Sequence, residues 1–269
     1  MRIQVFRVLY VLLILHSPLF TLHSYAQQRE TTRATLFGIG KVNHLDTYLS
    51  PLEYRGPELT FLHETFRRLQ RNEHVVFQTT IQGTFSYAHN QAETAHDICA
   101  NIRYDFGWGR QWRDVLWKGL DLTAMGLAGG DGGFLYNDRN GNNPAQARVN
   151  LRLTAALRAD YRFRVRKQSF ALHYQAHLPL LGLTFSPRYG QSYYDIFDRG
   201  GYDRNLVCTY PGNALSLRQL FTVDWHIRRA TLRLGYLSDL RQLKANGLRR
   251  HQYSRAFMIG YVREISIKR

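Results

Sequence analysis

The chain has 269 residues, a formal net charge of +16 and only two cysteines, Cys99 and Cys208. Two cysteines exclude a cysteine-rich metal site, and in an oxidising compartment they leave one Cys99–Cys208 bridge open. The basic balance suits an anionic surface or an anion-selective lumen, and nucleic acid is set aside below on the ground of export.

Residues 1–26 read as a cleaved secretory signal. Arg2 and Arg7 give a basic start, Val8 to Leu15 is an apolar core too short to span a bilayer, and Ser24-Tyr25-Ala26 gives a small-x-small site. The predicted mature domain is therefore residues 27–269, a single unit. An exported chain does not meet nucleic acid. No other stretch approaches the ~20 apolar residues of a transmembrane helix. If the mature chain enters a membrane, it does so as a closed barrel of strands.

Residues 33–41 predict a short first strand. Residues 42–58 read as a loop, with Pro51 and Gly56-Pro57 as breakers. Residues 59–69 are a mixed strand. Over 74–87, Val75, Phe77, Ile81, Phe85 and Tyr87 oppose Gln78, Thr80, Gln82, Thr84 and Ser86. Over 95–108, Ile98, Ile102, Tyr104, Phe106 and Trp108 oppose Asp97, Cys99, Asn101, Arg103 and Asp105. A weaker strand, 115–127, precedes a Gly- and Asx-rich stretch, 128–145, read as a loop.

Residues 146–165 carry the clearest pattern. Val149, Leu151, Leu153, Leu157, Tyr161, Phe163 and Val165 fall on one face of a strand. Arg148, Asn150, Arg152, Thr154, Arg158 and Asp160 fall on the other. Side chains alternate faces along a strand, and a long strand that is greasy outside and charged inside is what a membrane barrel needs. Further strands follow at 168–181, 215–227, 230–239 and 251–265, with 182–213 as the longest irregular region.

The fold predicted is all-β: an antiparallel up-and-down transmembrane β-barrel of about 10–12 strands in the outer membrane of a Gram-negative cell. Connections that alternate short and long put both termini in the periplasm. Trp108, Tyr161, Phe163 and Trp225 form one aromatic girdle, and Phe85 and Tyr87 mark the other.

On the inward face the predicted charge network is Asp97, Arg103, Asp105, Asp121, Arg148, Arg152, Arg218, Asp224 and Arg233, together with Arg158 and Asp160. Buried charges need partners, and a barrel of this size is filled by its own side chains, so the lumen is expected to be largely closed. His173 and His177 share a face, but on a strand they stand about 13 Å apart at ~3.3 Å per residue and cannot chelate one ion. No metal site, cofactor or catalytic group is predicted. In the irregular region Tyr189, Gln191, Tyr193, Tyr194 and Asp195 make a candidate loop surface suited to sugar or peptide contact, or a plug of the barrel mouth. Expected partners are outer-membrane lipid and lipopolysaccharide, around a monomer. The predicted role is structural or surface binding, with a lipid-modifying enzyme or a narrow anion channel as alternatives.

Residues 135–150, "LYNDRNGNNPAQARVN", resemble the active-site segment of outer-membrane phospholipase A, with Asn150 matching its supporting Asn. The His-x-Ser pair is missing, since Asn137-Asp138-Arg139-Asn140 stands there. Residues 46–58, 140–148, 185–197 and 234–242 together resemble an uncharacterised, exported, barrel-like family of Bacteroidota-type bacteria, a domain of unknown function. That resemblance implies an outer-membrane location and carries no catalytic residues.

Overall fold

A computed structural model describes residues 28–69, 72, 74–141, 143–227 and 230–266. The export-signal reading of residues 1–26 lies outside them, as do most of the turn expected at 70–73 and the turn at 228–229.

The chain forms a closed, ten-stranded antiparallel barrel with one short extra strand. The elements are β1 (Gln28–Asp46), β2 (Ser50–Leu69), β3 (Val75–Asn90), β4 (His96–Trp112), β5 (Leu120–Asn137), β6 (Ala145–Val165), β7 (Gln168–Phe185), a five-residue helix α1 (Tyr193–Phe197), β8 (Leu206–Thr209), β9 (Ser216–Ile227), β10 (Ala230–Ala245) and β11 (Leu248–Ser266). Each barrel strand pairs with its neighbours in sequence, and β1 closes the ring on β11 from Glu30↔Ser266 to Asp46↔Arg250. Closure satisfies the backbone within the protein, which is what lets strands cross lipid. The start of β1 and the end of β11 share one end, here the terminal end. The opposite end carries α1 and β8.

On β6 the predicted faces hold residue for residue: Arg148, Thr154, Ala156, Arg158 and Asp160 are buried in the lumen, whereas Val149, Leu151, Leu153 and Leu157 are at least half exposed on the outer wall. At the terminal end Tyr161, Phe163, Phe170 and Trp225 stack in a row at 5.7, 5.6 and 6.4 Å, and Phe77 meets Trp108 at 5.0 Å. Phe85 and Tyr87 lie toward the opposite end of β3.

Three stretches read as loops are strands. Residues 42–58 complete β1 and begin β2 around a three-residue turn, Thr47–Leu49. Pro57 is tolerated because the β2–β3 ladder steps from Arg55↔His89 to Glu58↔Ser86 and passes over it, so its missing N–H breaks nothing there. Residues 128–137 are the second half of β5. Its Gly129 faces the lumen, where a Cβ would collide with the Tyr104 carbonyl and the Asp105 carboxylate. Gly129→Val is therefore expected to cost about 1–3 kcal/mol of stability, measured as a shift in the urea midpoint. Residues 241–250 are a tight hairpin. Asn246 and Gly247 hold φ of 53° and 78°, the two positive values of a type I′ turn. The short–long alternation of connections therefore fails. Among the described residues only the excursion between β7 and β9 is long.

The lumen also holds apolar side chains beside its charges. Leu36, Leu62, Leu220, Leu237 and Met258 form one buried apolar cluster inside the barrel. Phe66, Val76, Met125, Leu127 and Ala156 form a second.

Candidate functional site

The lumen holds its charges in layers. Nearest the terminal end, Asp121 on β5 accepts from Arg162 at 3.0 Å and lies 3.6 Å from Arg68. In the middle, Arg158 on β6 donates to Glu64 on β2 at 2.8 Å and to Asp160 at 2.8 Å, with its guanidinium 4.4 Å from the centre of the Phe66 ring. His173 sits between Asp160 and Asp224, 3.1 Å from the latter, and Arg233 donates to Asp224 at 2.7 Å. Gln175 donates to Glu64 at 2.7 Å, and Arg218 to Gln82 at 2.8 Å.

Above this, Arg152 bridges Asp105 at 2.7 Å and Asp131, Arg241 donates to Asp239 at 2.8 Å, and Arg103 lies 3.4 Å from the same Asp239. Toward the mouth Asp97 accepts from Asn137 at 2.7 Å rather than from an arginine. Arg148 donates to Gln252 at 2.8 Å, and its nearest acid, Asp46, is 3.8 Å away.

All nine network residues read from sequence thus face the lumen, and they join several separate clusters. Glu64, Asp131, Asp239, Arg241, Arg250 and Asp46 belong with them but were missed. Four of these sit in stretches read as loops, and Glu64 sits in a strand of mixed pattern. The alternation Glu58, Thr60, Leu62, Glu64 on β2 was the available signal.

A cavity of about 90 Å³ lies in the mouth half of the lumen, lined by Arg103, Arg148, Arg152, Arg241 and Arg250 with Asp131, Asn101, Asn150 and Gln252. Several polar atoms here lack a hydrogen-bond partner: Nε and Nη2 of Arg148, Nε of Arg103 and Oδ1 of Asn101. Buried polar atoms without partners are costly; others lie elsewhere in the lumen, Nε2 of His177 and Nη2 of Arg218 among them, and these four gather at one cavity.

Close by, His44 on β1 and Ser86 on β3 approach at 2.9 Å between Nε2 and Oγ, both 2% exposed or less. The sequence keeps them 42 residues apart, so no motif announces the pair. Nδ1 of His44 has no partner among the described residues, and no carboxylate orients the ring.

The excursion after β7 caps one side of the mouth. Ser192 and Asp195 form a reciprocal capping box on α1. The hydroxyl and backbone N–H of Ser192 hold the Asp195 carboxyl below the usual carboxylate range. Tyr193 accepts from the Ala147 N–H at 2.6 Å and packs edge-on to Tyr48 at 6.0 Å. Tyr48 donates to the Gln191 carbonyl at 3.0 Å, and burial pushes its hydroxyl up to about 12. Gln191 is tied to Gly201 and Asn205. Of the five residues of the candidate loop surface, Tyr193 and Gln191 build the cap, and Asp195 caps its helix. Tyr189 and Tyr194, 77% and 59% exposed, remain outward. Cys99 is buried and Cys208 exposed, and neither is bonded.

Outward-facing basic residues gather at both rims: Arg33, Arg67 and Arg263 near the terminal end, and Lys41, Arg55, Arg249, Arg255 and Lys244 near the other. Between Arg33 and Lys41 on β1, Phe37 and Ile39 face out, and between Arg255 and Arg263 on β11, Phe257 and Ile259 do. The charged rims therefore bracket a continuous apolar band.

The family described as "Protein of unknown function (DUF3316)" matches the chain over residues 7–269. No curated protein matches the sequence. Among solved structures, the chain is similar to the outer membrane protease OmpT from Escherichia coli, at 6% identity and a TM-score of 0.52, covering 89% of this chain and 98% of that one. It is also similar to the transport unit of the autotransporter AIDA-I from Escherichia coli, at 10% identity, a TM-score of 0.41, and coverage of 89% and 92%. The translocator domain of the autotransporter NalP from Neisseria meningitidis follows at 9% identity, 0.36, 88% and 90%. The likeness to OmpT is one of fold, that of an outer-membrane β-barrel.

Proposed function

The chain belongs to the DUF3316 family of proteins of unknown function, and from that premise we propose that it is a non-conducting outer-membrane barrel that binds a ligand at its mouth. One observation carries this reading. The lumen is occupied by paired acids and arginines and by two apolar clusters, whereas a general channel needs many more strands and an open, hydrated bore. The binding end is the mouth half, with its arginine-lined cavity and tyrosine-bearing cap. In this reading the terminal end faces the periplasm and the cap faces outward. The two basic rims suit anionic lipid head groups, lipopolysaccharide on the outer side, around a monomeric barrel. The exposed Tyr189 and Tyr194 offer flat aromatic contact surfaces beside the mouth.

Recording purified, folded protein in planar bilayers tests the closed lumen. Silent membranes are expected at protein loads where a porin control gives steps. Uniform conductance steps that vanish after heat denaturation would overturn the reading.

A further inference from the structure

The barrel wall is interrupted on one side. β7 pairs with β9 up to His177↔Arg218 and with β8 from Gly182↔Thr209, so residues 178–181 have no partner on that flank. The chain between β8 and β9 leans away to β10 instead, where Gln242 and Lys244 donate to the carbonyls of Leu215 and Asn213 at 2.9 and 2.7 Å. The slot left in the wall is bordered by small side chains. Pro179, Thr209, Ala214 and Ser216 all line the same cavity as Arg148 and Arg250. The arginine cavity therefore opens sideways through the wall.

The two sides of this opening differ sharply in chemistry. Inside, Arg148 is 4% exposed, with two donor atoms unpartnered, and its nearest acid is 3.8 Å away. Arg250 beside it has no acid within ion-pairing distance among the described residues, and its guanidinium makes a long hydrogen bond, 3.5 Å, to Thr184. Outside, Leu151, Leu153, Leu181 and Leu183 are 41–61% exposed on the wall next to the slot. A cavity needs roughly 10–15 Å³ to admit a water, so one of about 90 Å³ has room for water or one compact oxyanion group.

We propose that this cavity takes the phosphate or carboxylate head of a single-chain anionic amphiphile, whose alkyl chain leaves through the slot onto the outer leucine face. A guanidinium pair matches either head through two parallel N–H···O bonds. The proposal rests on the closed-lumen reading above, because a continuous pore would leave no walled cavity.

The test is calorimetric titration of the full, folded chain in phosphatidylcholine nanodiscs, with empty nanodiscs as the blank. The probes are dodecyl phosphate, laurate, inorganic phosphate and dodecyltrimethylammonium. One saturable site per barrel is expected for dodecyl phosphate or laurate, at least tenfold tighter than inorganic phosphate, and none for the cation. The better of the two binders identifies the head group. Replacing both arginines, Arg148→Gln with Arg250→Gln, should weaken amphiphile binding tenfold or more. Ala214→Trp, on the slot side of the cavity lining, should obstruct the slot and weaken amphiphile binding tenfold or more, and weaken inorganic phosphate less. Should the double variant not fold, judged by its heat-modifiable gel mobility, Ala214→Trp carries the test alone. Amphiphile binding that survives Ala214→Trp, or that inorganic phosphate equals, overturns the proposal. Absent binding with silent bilayers overturns the amphiphile alone, and conductance steps overturn the closed lumen itself.

Discussion

Arg158→Leu is expected to be the most damaging single change in the lumen, lowering stability by about 3–5 kcal/mol. Arg158 is 5% exposed, spans from β6 to Glu64 on β2 and to Asp160 beside it, and lies over the Phe66 ring. Leucine fills part of the volume but leaves the buried Glu64 carboxylate without its ion-pair partner, held among the described residues only by the amides of Gln175 and Gln78. Asp160 keeps His173 as a partner, so the loss concentrates on Glu64. Adding Glu64→Leu to Arg158→Leu should therefore recover part of the stability, since removing both members of a buried pair costs less than removing one. Urea titrations of the folded protein in micelles, followed by gel mobility, give both midpoints. A loss below ~1 kcal/mol for Arg158→Leu, or a double variant weaker than the single, would sink the account of a paired lumen.

The second large effect lies on the outer wall. Leu157→Arg is expected to cost about 2–4 kcal/mol of membrane stability, the range for a cationic side chain near the bilayer midplane. Leu157 is 62% exposed on β6, paired with Ala124 and Ala176, and sits between the aromatic row at Tyr161 and the mouth end. Arg164→Leu, beyond that row, should shift the midpoint by less than about 1 kcal/mol. The comparison is made by refolding both variants into vesicles of one lipid and measuring the folded fraction against denaturant. Equal tolerance of the two changes would refute the division of β6 into a lipid face and a luminal face.

The barrel was legible in the sequence because β6, β4 and β3 alternate cleanly, and each such strand fixes a polar and an apolar side without help from its neighbours. β1 was legible only in part. Its lumen side carries Ala34, Leu36 and Val42, and its outer side carries Lys41 and Asn43, so the two faces do not differ in polarity. Half of β5 was hidden because glycine gives no face at all. Gly129 is there to leave room for the Asp105 carboxylate, a demand set by the neighbouring strand. The lumen charges on recognised strands could be assigned by alternation, but their pairing could not. Glu64 meets Arg158 across 94 residues, and Arg103 meets Asp239 across 136. Nor did any local pattern foretell the slot, which exists because residues 213–215 bond to β10 and leave β7.

The interrupted flank of β7 also bears on assembly. A closed ring offers no free strand edge, so an extended peptide has nowhere to add itself as a guest strand. Among the described strands, residues 178–181 leave one side of their backbone unclaimed within the wall, and the short β8 leaves its far edge unpaired as well. Pro179 stands in that segment without an N–H, which makes it a poor template for strand addition. The proline therefore works against the opening serving as a seam along which a second polypeptide could zip.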